Sequence, residues 1–200
     1  MCHPLLKTCA LAFALLGCCA VNGIEILVTD QHGNPVPDAV VELAIAPAPS
    51  QGPSTASAIM DQVGRQFAPR VLAIHKGRNV ELPNSDNVRH HVYSFSPAKT
   101  FELKLYKGVA GKPLSFDTVG LVTLGCNIHD RMIGYIYVSE FQHVAVSDEK
   151  GRIKFDVYSP PATASVWHPD QENAQNLLVL PLIVEPGSDA TSIVLTLREQ

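Results

Sequence analysis

The chain has 200 residues, 46% of them hydrophobic and 17% charged, with a net charge of -4. That balance leaves no basic stripe and argues against nucleic acid as a partner. The length suffices for one large domain or two small ones. Thirteen Gly and fifteen Pro suit a β-rich chain with many turns.

Lys7 places a positive charge ahead of Cys9 to Ala20, an uncharged apolar run. The run is short for a bilayer span and has the length of a signal-peptide core. Residues 1–23 are therefore expected to be an export signal, cleaved after Ala20 or Gly23, with the mature protein periplasmic. Leu15-Leu16-Gly17-Cys18 also resembles a lipoprotein box. Lipidation at Cys18 would be the route to a membrane; ordinary secretion is the simpler expectation. Export changes the cysteine count. Cys2, Cys9, Cys18 and Cys19 leave with the signal, and Cys126 stands alone. A lone thiol in oxidising surroundings has to be buried or bound.

Ile24 to Thr29 alternates with period two, which predicts a strand. A turn follows at Asp30 to Pro35, and Asp38 to Ala44 reads as the returning strand. Ala46 to Ser57, rich in Pro, Ser and Ala, reads as a linker or exposed loop. Further strands are expected around Val71 and Ala73, at Val80 to Leu82, at His90 to Phe95 and at Phe101 to Leu105. Leu114 to Phe116, Leu121 to Leu124 and Ile133 to Val138 continue the series. Turn signals about every ten residues point to a sandwich or barrel. Beyond Glu140, Val144 and Val146 lead into a hairpin-like turn at Asp148 to Gly151. Alternating Ile153, Phe155 and Val157 follow, then strands at Leu177 to Val184 and Ile193 to Leu197. No helical stripe of useful length is present.

The chemistry is concentrated in Cys126-Asn127-Ile128-His129-Asp130-Arg131-Met132, which reads C-x-x-H-x-x-M between two strands. A thiolate, an imidazole and a thioether on one short loop can converge on one metal. Soft sulfur with imidazole selects copper, and two His with one Cys and a weak axial Met suit both of its oxidation states. The second imidazole has to come from outside the loop, and His90-His91 is the best source. Strand alternation puts the two on opposite faces. Structural zinc fits a thioether poorly, C-type haem needs a second Cys, and calcium needs clustered carboxylates. His75, His143 and His168 read as ordinary surface histidines, and Asp130 as solvated. A Cys126–His129 nucleophilic dyad is the weaker use of the loop, and no other acid–base pair suggests an enzyme.

Phe67 to Gly77, Val80, Asn84, the His90-x-Val92 start and the closing Gly120 to Met132 together resemble a cupredoxin, over roughly eighty residues. The loop spacing is that of the amicyanin-type members. The block also resembles bacterial proteins labelled methylamine-utilisation proteins. The resemblance implies an all-β Greek-key sandwich over 58–141 and one type 1 copper held by His90, Cys126, His129 and Met132. It implies single-electron transfer through His129 to a redox protein partner, with Ile128, Ile133 and Pro97 as a docking rim. The family has Asn after its first His ligand, where this chain has His91. The alternatives are a periplasmic copper-binding protein for storage or delivery, and a structural interaction protein. Asp30 to Leu43 and Ser147 to Phe155 resemble the hairpins of carboxypeptidase regulatory-like sandwiches. Residues 24–50 and 142–200 are thus expected either to form a second small sandwich into which the block is inserted, or to extend one larger sandwich.

Overall fold

The computed structural model describes residues 23–44, 56–109, 111–157, 163–173, 175–183, 188 and 190–199. The expected export signal and lipidation site, and most of the expected linker, lie outside them. Among the described residues every regular element is a strand, and no helix is long and apolar enough to cross a membrane.

The chain opens with β1 (Gly23–Asp30) and β2 (Val40–Ala44). Three short strands follow: β3 (Ala58–Ile59), β4 (Asp61–Val63) and β5 (Gln66–Ala68). Next come β6 (Val71–His75), β7 (Arg78–Glu81), β8 (His90–Ser96), β9 (Lys99–Tyr106) and β10 (Leu114–Phe116). β11 (Gly120–Cys126) and β12 (Ile133–Ser139) flank the C-x-x-H-x-x-M loop. The remainder is β13 (His143–Val146), β14 (Arg152–Asp156), β15 (Thr163–Trp167), β16 (Leu177–Pro181) and β17 (Ala190–Leu195).

Residues 58–139 build a five-stranded sheet, β6-β12-β11-β8-β9, a three-stranded sheet, β10-β7-β3, and the β4–β5 hairpin. The two ends of the chain build the other two sheets, β13-β2-β15-β16 and β14-β1-β17. Alternation explains the stacking. Val92, Val122, Leu124, Ile136 and Val138 face Met60, Phe67, Val80 and Phe116 in one apolar core. Ile24, Ile26, Val28, Val41, Leu43, Ile153, Phe155 and Ile193 fill a second.

Between these cores lies a third layer of contacts. Val71, Ala73, Leu121, Tyr135 and Tyr137 on the back of the five-stranded sheet meet Val40, Val144, Val146, Trp167 and Leu177. The four-stranded sheet is therefore covered on both faces. This is why β2 reads Val-Val-Glu-Leu without alternating: all four side chains are buried. Glu42 lies in this layer, where its carboxylate accepts the hydroxyls of Tyr137 (3.0 Å) and Ser139 (2.6 Å).

Several expectations are corrected. The turns at Asp30 and at Asp148 are tight, and each Asp carboxylate accepts two backbone N–H groups of its own loop. The Asp30 turn closes only a local bridge, Thr29 with Pro35, and neither turn joins the long strands on its two sides into a hairpin. β1 and β14 pair with each other, whereas β2 and β13 pair in the opposite sheet. Each turn is thus a corner between sheets. Leu105 is exposed although it continues the Phe101, Leu103 alternation. The register shifts between His90 and Val92, pairing His90 with Tyr106 and Val92 with Leu103, so that the bulge turns Tyr106 inward instead. His168 is buried, not a surface residue.

Candidate metal centre

Two strands and one loop bring the thiol and imidazoles together. His90 opens β8 and Cys126 closes β11, and the strands pair there through Cys126 with Val92. Both side chains point into the core between sheets, His90 at 0% and Cys126 at 5% exposure. The loop beyond Cys126 is tight. The Met132 N–H donates to the His129 carbonyl at 2.9 Å, which folds the chain back into β12. His129 is half-buried at the end of the sandwich.

The ligand atoms of His90, Cys126 and His129 lie within 4.8 Å of one another, the group of this kind found among the described residues. Cys126 Sγ is 3.6 Å from His90 Nδ1 and 3.9 Å from His129 Nδ1. A thiol carries one proton and cannot donate to both rings. One metal ion can accept all three donors. Thiolate and imidazole bonded to one ion at about 2.0–2.3 Å stand about 3.5–3.8 Å apart, and the observed separations are at or just above that. The residues present fit such an ion. Met132 is buried in the same apolar cluster as Cys126.

The other face of His90 is also specified. His90 Nε2 donates to Asp86 Oδ2 at 2.8 Å. A carboxylate only accepts, so the proton sits on Nε2 and the Nδ1 lone pair is free toward Cys126. Burial pushes the Asp86 carboxyl up. The N–H groups of Arg65 and Gly64 and the His90 ring outweigh burial, and Asp86 is held below the ordinary carboxylate range. Asn84, itself buried, accepts the Asp86 N–H and donates to the carbonyls of Val88 and Tyr106. Tyr106 donates to the Leu82 carbonyl, and burial pushes its phenol up to about 12.

His91 faces away from this cluster. Its Nε2 pairs with Glu102 Oε1 at 2.9 Å on the outer face of the sheet, while its backbone carbonyl accepts the Asn127 N–H. The loop is thus tied to β8 through the main chain of His91. Ile128 within the loop and Ile133 just after it are 46% and 44% exposed. Pro97 lies elsewhere. β8 runs from His90 to Ser96, about 20 Å of strand at its usual rise, and Pro97 is in the turn at its far end. Asp130 is exposed.

Sequence reasoning gave Asp86 and Tyr106 no role and counted Asn84 only as part of the resemblance. Nothing in the spacing of Asn84-Ser85-Asp86 says that Asp86 bends back to meet the ring four residues later.

An all-β chain with a buried thiol between two imidazoles is the class that the fold and site define. No family model matches the chain, and no curated protein does. Among solved structures, the copper-containing nitrite reductase of Thermus scotoductus is similar over 50% of this chain and 25% of its own, at 24% identity and a TM-score of 0.40. This chain thus spans a quarter of that enzyme's length. A reduced Cu(I) form of an amicyanin mutant is similar over 50% of this chain and 98% of its own, at 18% identity and a TM-score of 0.37. A purple cupredoxin from Nitrosopumilus maritimus is similar over 42% of this chain and all of its own, at 22% identity and a TM-score of 0.35.

Proposed function

We propose that the chain is an exported electron carrier with one type 1 copper ion, held by His90, Cys126, His129 and Met132. The observation that carries this reading is the buried Cys126 sulfur faced by two imidazole Nδ1 atoms at 3.6 and 3.9 Å. The motif resemblance to cupredoxins and the apolar N-terminal run support it. Copper, when bound, supplies a one-electron couple in a geometry that both oxidation states accept.

The protein's part is to hold the donors still. His90 is fixed from behind by Asp86, and Cys126 by strand pairing. His129 and Met132 are set by the closed turn that links them. A donor set that does not move between oxidation states keeps the reorganisation on electron transfer small. His129 is the half-buried member of the trio and the natural exit for electrons. Ile128 and Ile133 beside it supply an apolar rim for a redox protein partner.

The test is the visible spectrum of the mature protein, titrated with copper(II) and then reduced. The expected result is an intense thiolate-to-copper band that saturates at one equivalent and bleaches on reduction. Cys126→Ser should remove the band entirely. Met132→Leu should shift the reduction potential more than it lowers copper affinity. A colourless wild-type protein would overturn electron transfer; weak absorption without the thiolate band would favour copper storage or delivery.

A further inference from the structure

The carboxylate of Asp86 has three donors from two separate parts of the chain. Gly64 N–H donates to Oδ1 at 2.6 Å, Arg65 N–H to Oδ2 at 2.8 Å, and His90 Nε2 to the same Oδ2 at 2.8 Å. Gly64 and Arg65 form the two-residue turn of the β4–β5 hairpin, and both have left-handed φ, +62° and +61°. Consecutive left-handed residues are the mark of a type I′ turn. The N–H groups of Gly64 and Arg65 both reach Asp86.

The turn is itself firmly seated. Gln62, fully buried, donates to the carbonyls of Leu82 and Pro83. Asp61 accepts the backbone N–H and the hydroxyl of Ser85. Phe67, on the returning strand, packs so closely on β12 that a Cβ at Gly134 would meet its ring at 2.8 Å. The hairpin thus contacts Asp86 behind His90 and Gly134 of β12, two residues beyond Met132, though it contributes no ligand.

We infer that Asp86 is the positioning residue of the metal centre, clamping the His90 ring to the amides of the Gly64–Arg65 turn so that Nδ1 alone faces Cys126. The inference rests on the copper reading. The carboxylate does two things. It fixes the tautomer, because only the Nε2–H form can donate to it, and it fixes the ring plane. Groups that orient a metal-binding His through its second nitrogen are ordinarily worth about ten- to a hundred-fold in metal affinity.

The experiment combines a readout on the metal-free protein with one on the loaded protein. The ¹⁵N resonances of the His90 ring, at mildly alkaline pH without metal, are compared among wild type, Asp86→Asn and Asp86→Ala. A third variant carries one extra residue between Gly64 and Arg65. Glu102→Gln, which unpairs only His91, is the control. Wild type and control should show a single Nε2–H tautomer at His90. The Asp86 variants and the insertion should show mixed tautomers, and copper(II) affinity should fall about ten- to a hundred-fold. Asp86→Asn keeps one acceptor oxygen for the turn and guards against a fold defect in Asp86→Ala; far-ultraviolet circular dichroism checks both. Unchanged tautomer and affinity in folded variants would overturn the role of Asp86 and leave the copper reading standing. A locked tautomer in wild type with no copper binding would overturn the copper reading and retain the clamp.

Discussion

At the scale of single residues, two glycines next to the centre are required by close approach. A Cβ at Gly134 would meet Phe67 Cβ, Cγ and Cδ2 at 2.8 Å, the root of a buried ring. A Cβ at Gly125 would meet the tip of the Tyr93 ring at 2.8 Å. A ring tip can swing aside, whereas a ring root is tied to the backbone. Gly134→Ala should therefore cost about 1–3 kcal/mol, as overpacking of a filled core does, and Gly125→Ala less. Urea unfolding of the two variants measures the difference. The same scale shows what was legible beforehand. His90, Cys126 and His129 were legible as a candidate site because a metal would restrict residue type and spacing, and the structure brings those three together. Asp86 and Tyr106 were not readable. Any polar residue can occupy a turn, and only the path of the chain shows which one meets a ligand's far side.

At the scale of elements, alternation located most of the strands. It failed where both faces are buried or the strand is very short. β15, Thr163–Trp167, alternates over four residues only, with Ala164 and Val166 buried and Thr163 and Ser165 half-buried, and the buried Trp167 then breaks the period. β3, β4 and β5 have only two or three residues each. The Asp30 and Asp148 turns were found as turns, but turn chemistry is local and cannot name the sheet that the next strand joins. The segment after β15 carries a pH signature. His168 Nδ1 accepts the Asp170 N–H at 3.2 Å, so the ring is neutral in the fold. Burial pulls His168 below its ordinary value; Asp170 opposes this, and Arg70 reinforces it. As pH falls below about 6.5, the unfolded chain takes up a proton that the folded chain refuses. Stability is then lost progressively down to the folded-state value. His168→Gln should flatten this part of the stability profile, which denaturant melts across the mildly acidic range would show. A profile identical to wild type would remove His168 as its source.

At the scale of the molecule, Trp167 joins the two halves. It is buried between Tyr135, at 5.3 Å between ring centroids, and Tyr137, at 6.2 Å. Trp167→Ala should cost about 3–5 kcal/mol, the usual range for emptying a large aromatic site. It should also uncouple the halves, turning one thermal transition into two. The thiolate band of the copper-loaded protein should persist, because His90, Cys126 and His129 face the other core. Loss of the band would mean that the flanking sheets help to shape the centre.

The strand order also sets a sequence of events in the making of the protein. β1 is the middle strand of its sheet, and its partners are β14 and β17, more than a hundred residues later. That sheet has to wait for the far end of the chain, and contacts so distant in sequence form slowly. The sheets around Cys126 draw only on residues 58–139. A chain emerging from its amino end can therefore close over Cys126 while that sheet is still a single waiting strand. The thiol is then sheltered from oxidants during the slowest part of folding.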